Sequence, residues 1–474
     1  MPAAKAGPIL RSRAGRTSIG KTKMNQAFKL AAMAAAAALL SGCATFSSDG
    51  GFGAVAQATK SRSGAETRLL RNDDDRRALD EQLRKLLAEP LSADAAVQIA
   101  LLNNRGLQAR YWDLGIAEAE LVQAGRMANP GFSFKRTHGG GEVAIERTLS
   151  MNFIQLLTLP LASRVEAQRF EQVKLELAEE AVSMVHQARL AWIEAVAAQQ
   201  AVEYAQQISD AADASGELAR RMQAAGNWSK YDAAKEQAFH ADAVADVARA
   251  RKAATASREK LTRILGLSGA EAASYRLPER LPELPATPRK VDDAEAAAMR
   301  DRLDVQAARL SSQHTARSLG LTKTTRFINV LELSGISERD GERRSRGYEI
   351  SVEVPLFDWG GARVAHAEAT YMQSVNLLAA AAVNARSEAR ESHQDYQASY
   401  ELARHYRDVV IPLRQKISEE TLLRYNGMLL SVFELLADAR EQTTAVNNYI
   451  TALKEYWIAD ANLDAAIGGK GVQQ

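Results

Sequence analysis

The sequence predicts a mainly helical protein written as two similar halves, each carrying a β-hairpin between helices. Three observations lead there. Long alanine-rich stretches repeat small and apolar residues at spacings of three and four, the period of a helix face. Two short stretches alternate apolar with polar residues, the period of a strand. Landmarks recur: Arg164 and Arg363, which open long helices, and Gly226 and Gly427, which close them, are each separated by about 200 residues. The 474 residues hold 60 Lys+Arg against 58 Asp+Glu, a balance that leaves no basic footprint for nucleic acid. The single cysteine excludes an intrachain disulfide and a cysteine-based zinc cluster.

Residues 1–42 read as a signal peptide. Lys29 precedes an apolar run from Leu30 to Leu40, too short to span a bilayer, followed by the small residues Ser41 and Gly42. Met24 already opens a complete signal, which makes it an alternative true start. Leu40-Ser41-Gly42-Cys43 resembles the bacterial lipobox. That resemblance implies acylation of Cys43 as the mature N-terminus. With Ala44 rather than aspartate behind it, it also implies the outer membrane. No later run reaches the 18–20 apolar residues of a membrane helix.

A lipidated N-terminal tether follows over 43–91, with a Ser/Gly-rich part from Ser47 to Ser63 and a charged stretch from Arg71 to Arg77. The first repeat, 92–276, is expected to run as a helix over Ser92–Met127, a hairpin of Phe132–Arg136 and Glu142–Phe153 turning at His138-Gly139-Gly140-Gly141, then Pro160 and a long helix. Residues 277–292, with four prolines between Leu277 and Pro288, form a linker. The second repeat, 293–468, repeats the order: helix Asp293–Thr322, strands Phe327–Ser337 and Gly347–Val354 around a charged loop, Pro355, and a long helix. A tail occupies 469–474. Leu177, Ala181, Met184, Ala188, Ala191 and Ala195 trace a coiled-coil seam, continued after the tip by Ala234, Ala238, Ala241, Ala245 and Ala248. Small residues on such seams let helices approach closely. A helix from Ala362 to Tyr425 would be about 95 Å long, longer than a compact domain needs, and Pro412 is expected to bend it.

The hairpins admit two readings. Val143, Ile145, Arg147, Leu149, Met151 and Phe153 alternate with polar residues, as do Tyr348, Ile350, Val352 and Val354. This fits a barrel with lipid outside and water inside, and equally a two-layer soluble sheet. Arg147 on the apolar side counts against lipid. Four strands from one chain cannot close a channel, so a barrel requires several copies.

Taken together, the lipobox, the duplicated halves, the segment Val354-Pro355-Leu356-Phe357-Asp358-Trp359-Gly360-Gly361-Ala362-Arg363, the tips Arg221-Met222-Gln223-Ala224-Ala225-Gly226 and Arg424-Tyr425-Asn426-Gly427, and Leu261-Thr262-Arg263-Ile264-Leu265-Gly266 resemble the TolC-like outer-membrane efflux proteins. The resemblance implies a homotrimer that closes a 12-stranded β-barrel and continues it as a long periplasmic α-helical barrel. It implies a passive exit duct of a tripartite efflux or type I secretion-like system, with a periplasmic adaptor protein, an inner-membrane transporter and outer-membrane lipid as partners. Two departures from the family pattern stand out: Thr158-Leu159-Pro160-Leu161-Ala162-Ser163-Arg164 lacks the Phe-Asp-Gly elements, and the second tip is one residue short of the family's usual arginine-to-glycine spacing. A lipid-anchored periplasmic coiled-coil or adaptor protein that never spans the membrane is the alternative.

The site residues follow from the tips. Gly226 and Gly427 supply the backbone freedom of a tight turn, while Ser229 and Ser431 suit the first turns of the helices that follow. The tips read as plain helical hairpins, and the resemblance implies that they face the adaptor; Gly226, Asn227, Trp228, Gly427, Met428 and Leu429 are then the expected contacts, Trp228 because an aromatic beside a turn is costly to leave in water. Glu419 and Glu420 read as a solvated helix face or as gate candidates forming a ring of like charge, with Arg424 as a pairing residue that holds the tube shut. Arg339, Arg343, Arg344 and Arg346 are expected in the loop Ser337–Gly347, which reads as an ordinary soluble loop or, in the outward orientation that the resemblance implies, as a surface for lipid-A phosphates. The seven histidines are scattered, without HExxH, GxSxG or a phosphate-binding glycine loop. No enzymatic activity, metal site or cofactor is expected beyond the N-terminal lipid.

Overall fold

The computed structural model describes residues 45–139, 142–327 and 330–469. Cys43 and the signal segment lie outside the described residues, as do Gly140 and Gly141 of the first turn and residues 470–474 of the tail. Among the described residues there are thirteen α-helices and four strands.

The N-terminal stretch is packed rather than a free tether. Helix α1 (Phe52–Ser63) buries Val55 and Thr59, and Phe52 meets Tyr111 edge-on with ring centroids 5.0 Å apart. Its last turn reaches the second repeat, where Arg62 donates to the Asp301 carbonyl at 3.1 Å. Helix α2 (Asp73–Leu86) is capped by Asn72 and buries Leu79 and Leu83. The helix expected over Ser92–Met127 is three: α3 (Ala93–Asn103), α4 (Arg105–Tyr111) and α5 (Asp113–Ala124). Asn104 causes the first break, because its side chain caps α4 at the Leu107 amide instead of continuing the turn.

Strands β1 (Gly131–Gly139) and β2 (Glu142–Asn152) lead directly into α6 (Phe153–Ala224). Its 72 residues are about 110 Å long. Pro160 lies inside α6 rather than before it, since Asn152 caps the helix at the Gln155 amide and sets its start ahead of the proline. Helix α7 (Lys230–Leu265) returns antiparallel and ends in Leu261-Thr262-Arg263-Ile264-Leu265-Gly266. There Gly266 adopts φ +67°, and a Cβ would sit 2.8 Å from the Asn103 carbonyl. The Asn103 amide donates to the Leu265 and Gly266 carbonyls and the Asn104 amide to that of Ile264, so the carbonyls left over at this helix end find donors.

After α8 (Gly269–Ser274) the proline-rich segment runs extended along the core, burying Leu277, Leu281 and Leu284. Its carbonyls accept from Trp457 (at Pro282), Arg407 (at Leu284) and Tyr400 (at Pro285 and Ala286), so this linker is fixed in place. The second repeat holds α9 (Ala294–Asp301), α10 (Leu303–Thr325), β3 (Leu331–Asp340), β4 (Arg343–Val352), α11 (Gly361–His405), α12 (Ile411–Asn426) and α13 (Val432–Ala466).

Helices α11 and α12 join through a π turn, Tyr406–Val410. Proline at 412 has no N–H for the Asp408 carbonyl, and the Ile411 amide pairs instead with Tyr406, five residues back. Gly360 starts α11 at φ +73°, where a Cβ would meet the Arg326 carbonyl at 2.8 Å, and its amide donates to the Asp358 carboxylate at 2.8 Å. The Asp358-Trp359-Gly360 element is therefore the turn between strand and helix.

The core gathers α1–α5, the middle of α6, the end of α7 and the far ends of α11 and α13. Asp464, buried on α13, is held by Arg189 of α6 and Arg289 of the linker, joining both repeats. From this belt the paired helices extend one way and the strands the other. The α6 seam is buried from Leu177 to Ala195 apart from a half-buried Met184. The α7 seam is out of phase: Ala233, Glu236, Ala243 and Val247 are buried, whereas Ala234, Ala238, Ala241 and Ala248 are exposed. Alanine recurs on several faces of α7, so sequence spacing could not choose among them.

Candidate functional site

Two regions carry the candidate function, the sheet at one end and the helical tips at the other. The four strands form one antiparallel sheet in sequence order, with β2 pairing β3 across the two repeats. Strands β1 and β4 are its edges. Side chains directly opposite in the register share a face, and the register sorts the residues sharply.

Phe132, Leu149, Gly335 and Tyr348 form one row of the first face, with Met151, Leu333 and Ile350 below it towards the helices and Leu331 and Val352 below those. Above it comes a row of Phe134, Arg147, Ser337 and Arg346, then one of Arg136, Ile145, Arg339 and Arg344. This face holds five arginines and no carboxylate. The opposite face carries Glu142, Glu146, Glu332, Glu338, Asp340 and Glu349 against Lys135 and Arg343. Lys135 and Glu146, 3.9 Å apart, pair on that face.

The loop expected over Ser337–Gly347 is thus largely strand, turning only at Gly341 and Glu342. Gly341 takes φ +56°, which keeps the hairpin tight and leaves residues on either side free to pair. Arg339, Arg344 and Arg346 lie on the apolar side and Arg343 on the polar side. Arg147, which in sequence looked misplaced, stands in a row with Arg346.

Below the strands lies a second belt of apolar residues open to solvent: Leu157, Phe327, Val354, Leu356, Trp359 and a wholly exposed Phe357. Among the described residues no helix is long and apolar enough to cross a membrane.

At the tips, Ser229 caps α7 at the Asp232 amide, and Ser431 caps α13 in a capping box with Glu434. The first tip closes as expected. Gly226 adopts φ +78° while the Gly226 and Asn227 amides donate to the Gln223 and Met222 carbonyls. The second differs. Met428 and Leu429 make the equivalent bonds to Tyr425 and Arg424, so the left-handed position falls on Met428, at φ +58°, and Gly427 keeps φ −79°. The shorter arginine-to-glycine spacing moved the turn one residue past the glycine. Met428 is 94% exposed with a strained backbone, and Leu429 is exposed beside it.

Trp228 is only 7% exposed, stacked on Phe433 with centroids 4.3 Å apart. The premise that it stands in water is corrected: Phe433, on the other hairpin, already covers it. Gly226 and Asn227 are exposed, as are Glu419, Glu420 and Arg424 on α12. Arg424 has no carboxylate partner among the described residues. A tie missed in the sequence lies nearby. Buried Glu236 accepts from Ser215 at 2.7 Å and pairs with Arg440 at 2.5 Å, and Arg440 lies over the Phe239 ring. Its signal was a carboxylate inside the buried Ala233–Val247 stripe, visible once the phase of that stripe is known.

No protein-family model and no curated protein matches the chain. Solved structures do. The outer-membrane channel OprN superposes with a TM-score of 0.68 at 17% identity, covering 87% of this chain and 96% of that one. The CmeC outer membrane channel of Campylobacter jejuni gives 0.66 at 15% identity, covering 86% and 91%. A membrane protein from Pseudomonas aeruginosa gives 0.67 at 18% identity, covering 81% and 92%. The chain has the fold of these channels, the fold that the TolC-like resemblance implied.

Proposed function

On the premise of a shared channel fold, we propose that the protein is an exit duct of the outer membrane, a passive channel rather than an enzyme. One observation carries the reading: a four-stranded sheet, open at both edges, with one face apolar and the other polar. Exposed apolar strand residues are stable in lipid, but open edges are not tolerated there. Copies of the chain must close the sheet, and three give the expected 12 strands. The exposed Ala234, Ala238, Ala241 and Ala248 stripe suits the close helix approach that such a trimer requires. The aromatic residues Phe327, Phe357 and Trp359 beneath the strands fit the girdle at a membrane boundary.

In this reading acylated Cys43 adds a lipid anchor, and the helices project into the periplasm of a Gram-negative cell. The tips meet a periplasmic adaptor coupled to an inner-membrane pump through Gly226, Asn227, Gly427, Met428 and Leu429. Trp228 supports that surface from beneath through Phe433. An exposed methionine held in a strained conformation motivates the tip assignment. Glu419, Glu420 and Arg424 act at the constriction.

The test is single-channel conductance of the detergent-extracted protein in planar bilayers, with oligomer mass measured beside it. A conducting trimer is expected. A monomer, or an oligomer that never inserts, overturns the duct and favours an anchored periplasmic coiled-coil protein.

A further inference from the structure

We propose that the arginine rows on the apolar sheet face form a docking surface for phosphate-bearing lipid headgroups in the outer leaflet. The proposal rests on the membrane reading above and adds a specific chemistry to it.

The charge on this face is of one sign. Arg136, Arg147, Arg339, Arg344 and Arg346 are exposed, and the register places no carboxylate among them. None forms an ion pair with a described residue, while six carboxylates line the other face. Arg339 and Arg344 are directly opposite one another, with Arg136 two strands away in the same row. Like charges directly opposite across strands destabilise a sheet unless an anion lies between them. Phosphate suits this arrangement, since a guanidinium binds it with two parallel hydrogen bonds.

Height selects a lipid as the source of that phosphate. The rows below, from Tyr348 and Phe132 down to Val352, are apolar. From Val352 to Arg346, in the first arginine row, the strand rises about 20 Å at 3.4 Å per residue, and a tilt of about 40° leaves about 16 Å of height. With the exposed Val354, Leu356 and Phe357 below the strands added, the arginines begin where an apolar band approaching barrel height ends, at headgroup depth. They also point outwards with the apolar residues, away from the acidic interior and from solutes passing through it. Long arginine side chains at this edge keep their stems in the apolar layer and their charge among headgroups.

The experiment reconstitutes the full chain into phosphatidylcholine vesicles holding either diphosphoryl lipid A or its dephosphorylated form. After detergent extraction, the lipid A retained per chain is counted by mass spectrometry. Wild type is expected to retain at least about fivefold more of the phosphorylated form, and the combined variant R136Q/R147Q/R344Q/R346Q to lose that preference. Each variant is first checked for oligomer mass and helical content. A single-site variant, Arg346→Gln, is carried beside it in case the combined one fails to assemble, with a partial loss expected. Equal retention of the two lipids by wild type, or an unchanged preference in both variants, overturns the proposal. A fluorophore at Tyr348→Cys separates the two levels of inference. If nitroxide-labelled lipid quenches it while retention shows no phosphate preference, the arginine surface alone fails. If it is not quenched, the membrane reading fails and the proposal with it.

Discussion

Trp228 and Met428 show how single residues build the tips. The Trp228 ring joins the two hairpins of one chain by stacking on Phe433, the ring planes 22° apart. Trp228→Ala is expected to cost about 3 kcal/mol of tip stability. A double-mutant cycle with Phe433→Ala should give a coupling of about 1 kcal/mol. Hydrogen exchange across both tips measures it. Additive effects would mean that the two rings act separately.

Among the elements, the turn from β4 into α11 depends on backbone geometry more than on side-chain chemistry. Gly360→Ala places a Cβ against the Arg326 backbone at positive φ and should destabilise by about 1–3 kcal/mol. Gly361→Ala, one residue on and in open space, should be neutral or stabilise by up to about 1 kcal/mol. Thermal unfolding of the two variants separates the effects, and equal losses would remove the special role of Gly360. Pro412 illustrates the same dependence on backbone pairing, because the chain absorbs the missing amide in a π turn and stays helical to Asn426. The expected interruption was legible in the sequence; its form was not, since a kink and a π turn both answer a missing donor.

For the whole molecule, the two faces of the sheet separate charge as well as polarity. If the acidic face lines the duct, it favours cations. Replacing Glu332, Glu338 and Glu349 with Gln should lower the cation preference at least about twofold in reversal-potential measurements. If Glu419 and Glu420 stand at the constriction of the proposed duct, the pair Glu419→Gln and Glu420→Gln should lower the same preference in that assay. Unchanged preference in the strand variant would place those carboxylates off the conduction path.

Repeat order, strand periodicity and the capping serines were legible in the sequence because they rest on local rules. The three- and four-residue spacing of alanines announced long helices, and Ser229 and Ser431 cap the helices they precede. Which alanine stripe is buried, where Trp228 finds its cover and which side of the strands each arginine shares were decided only in three dimensions. The local period of a helix or strand fixes which residues lie together on one element. It does not fix the partner element, and one step of register exchanges a whole face. The apolar segments announced a hairpin; the pairing of β2 with β3 across two repeats made it one sheet, and only that pairing gathered five scattered arginines onto one surface.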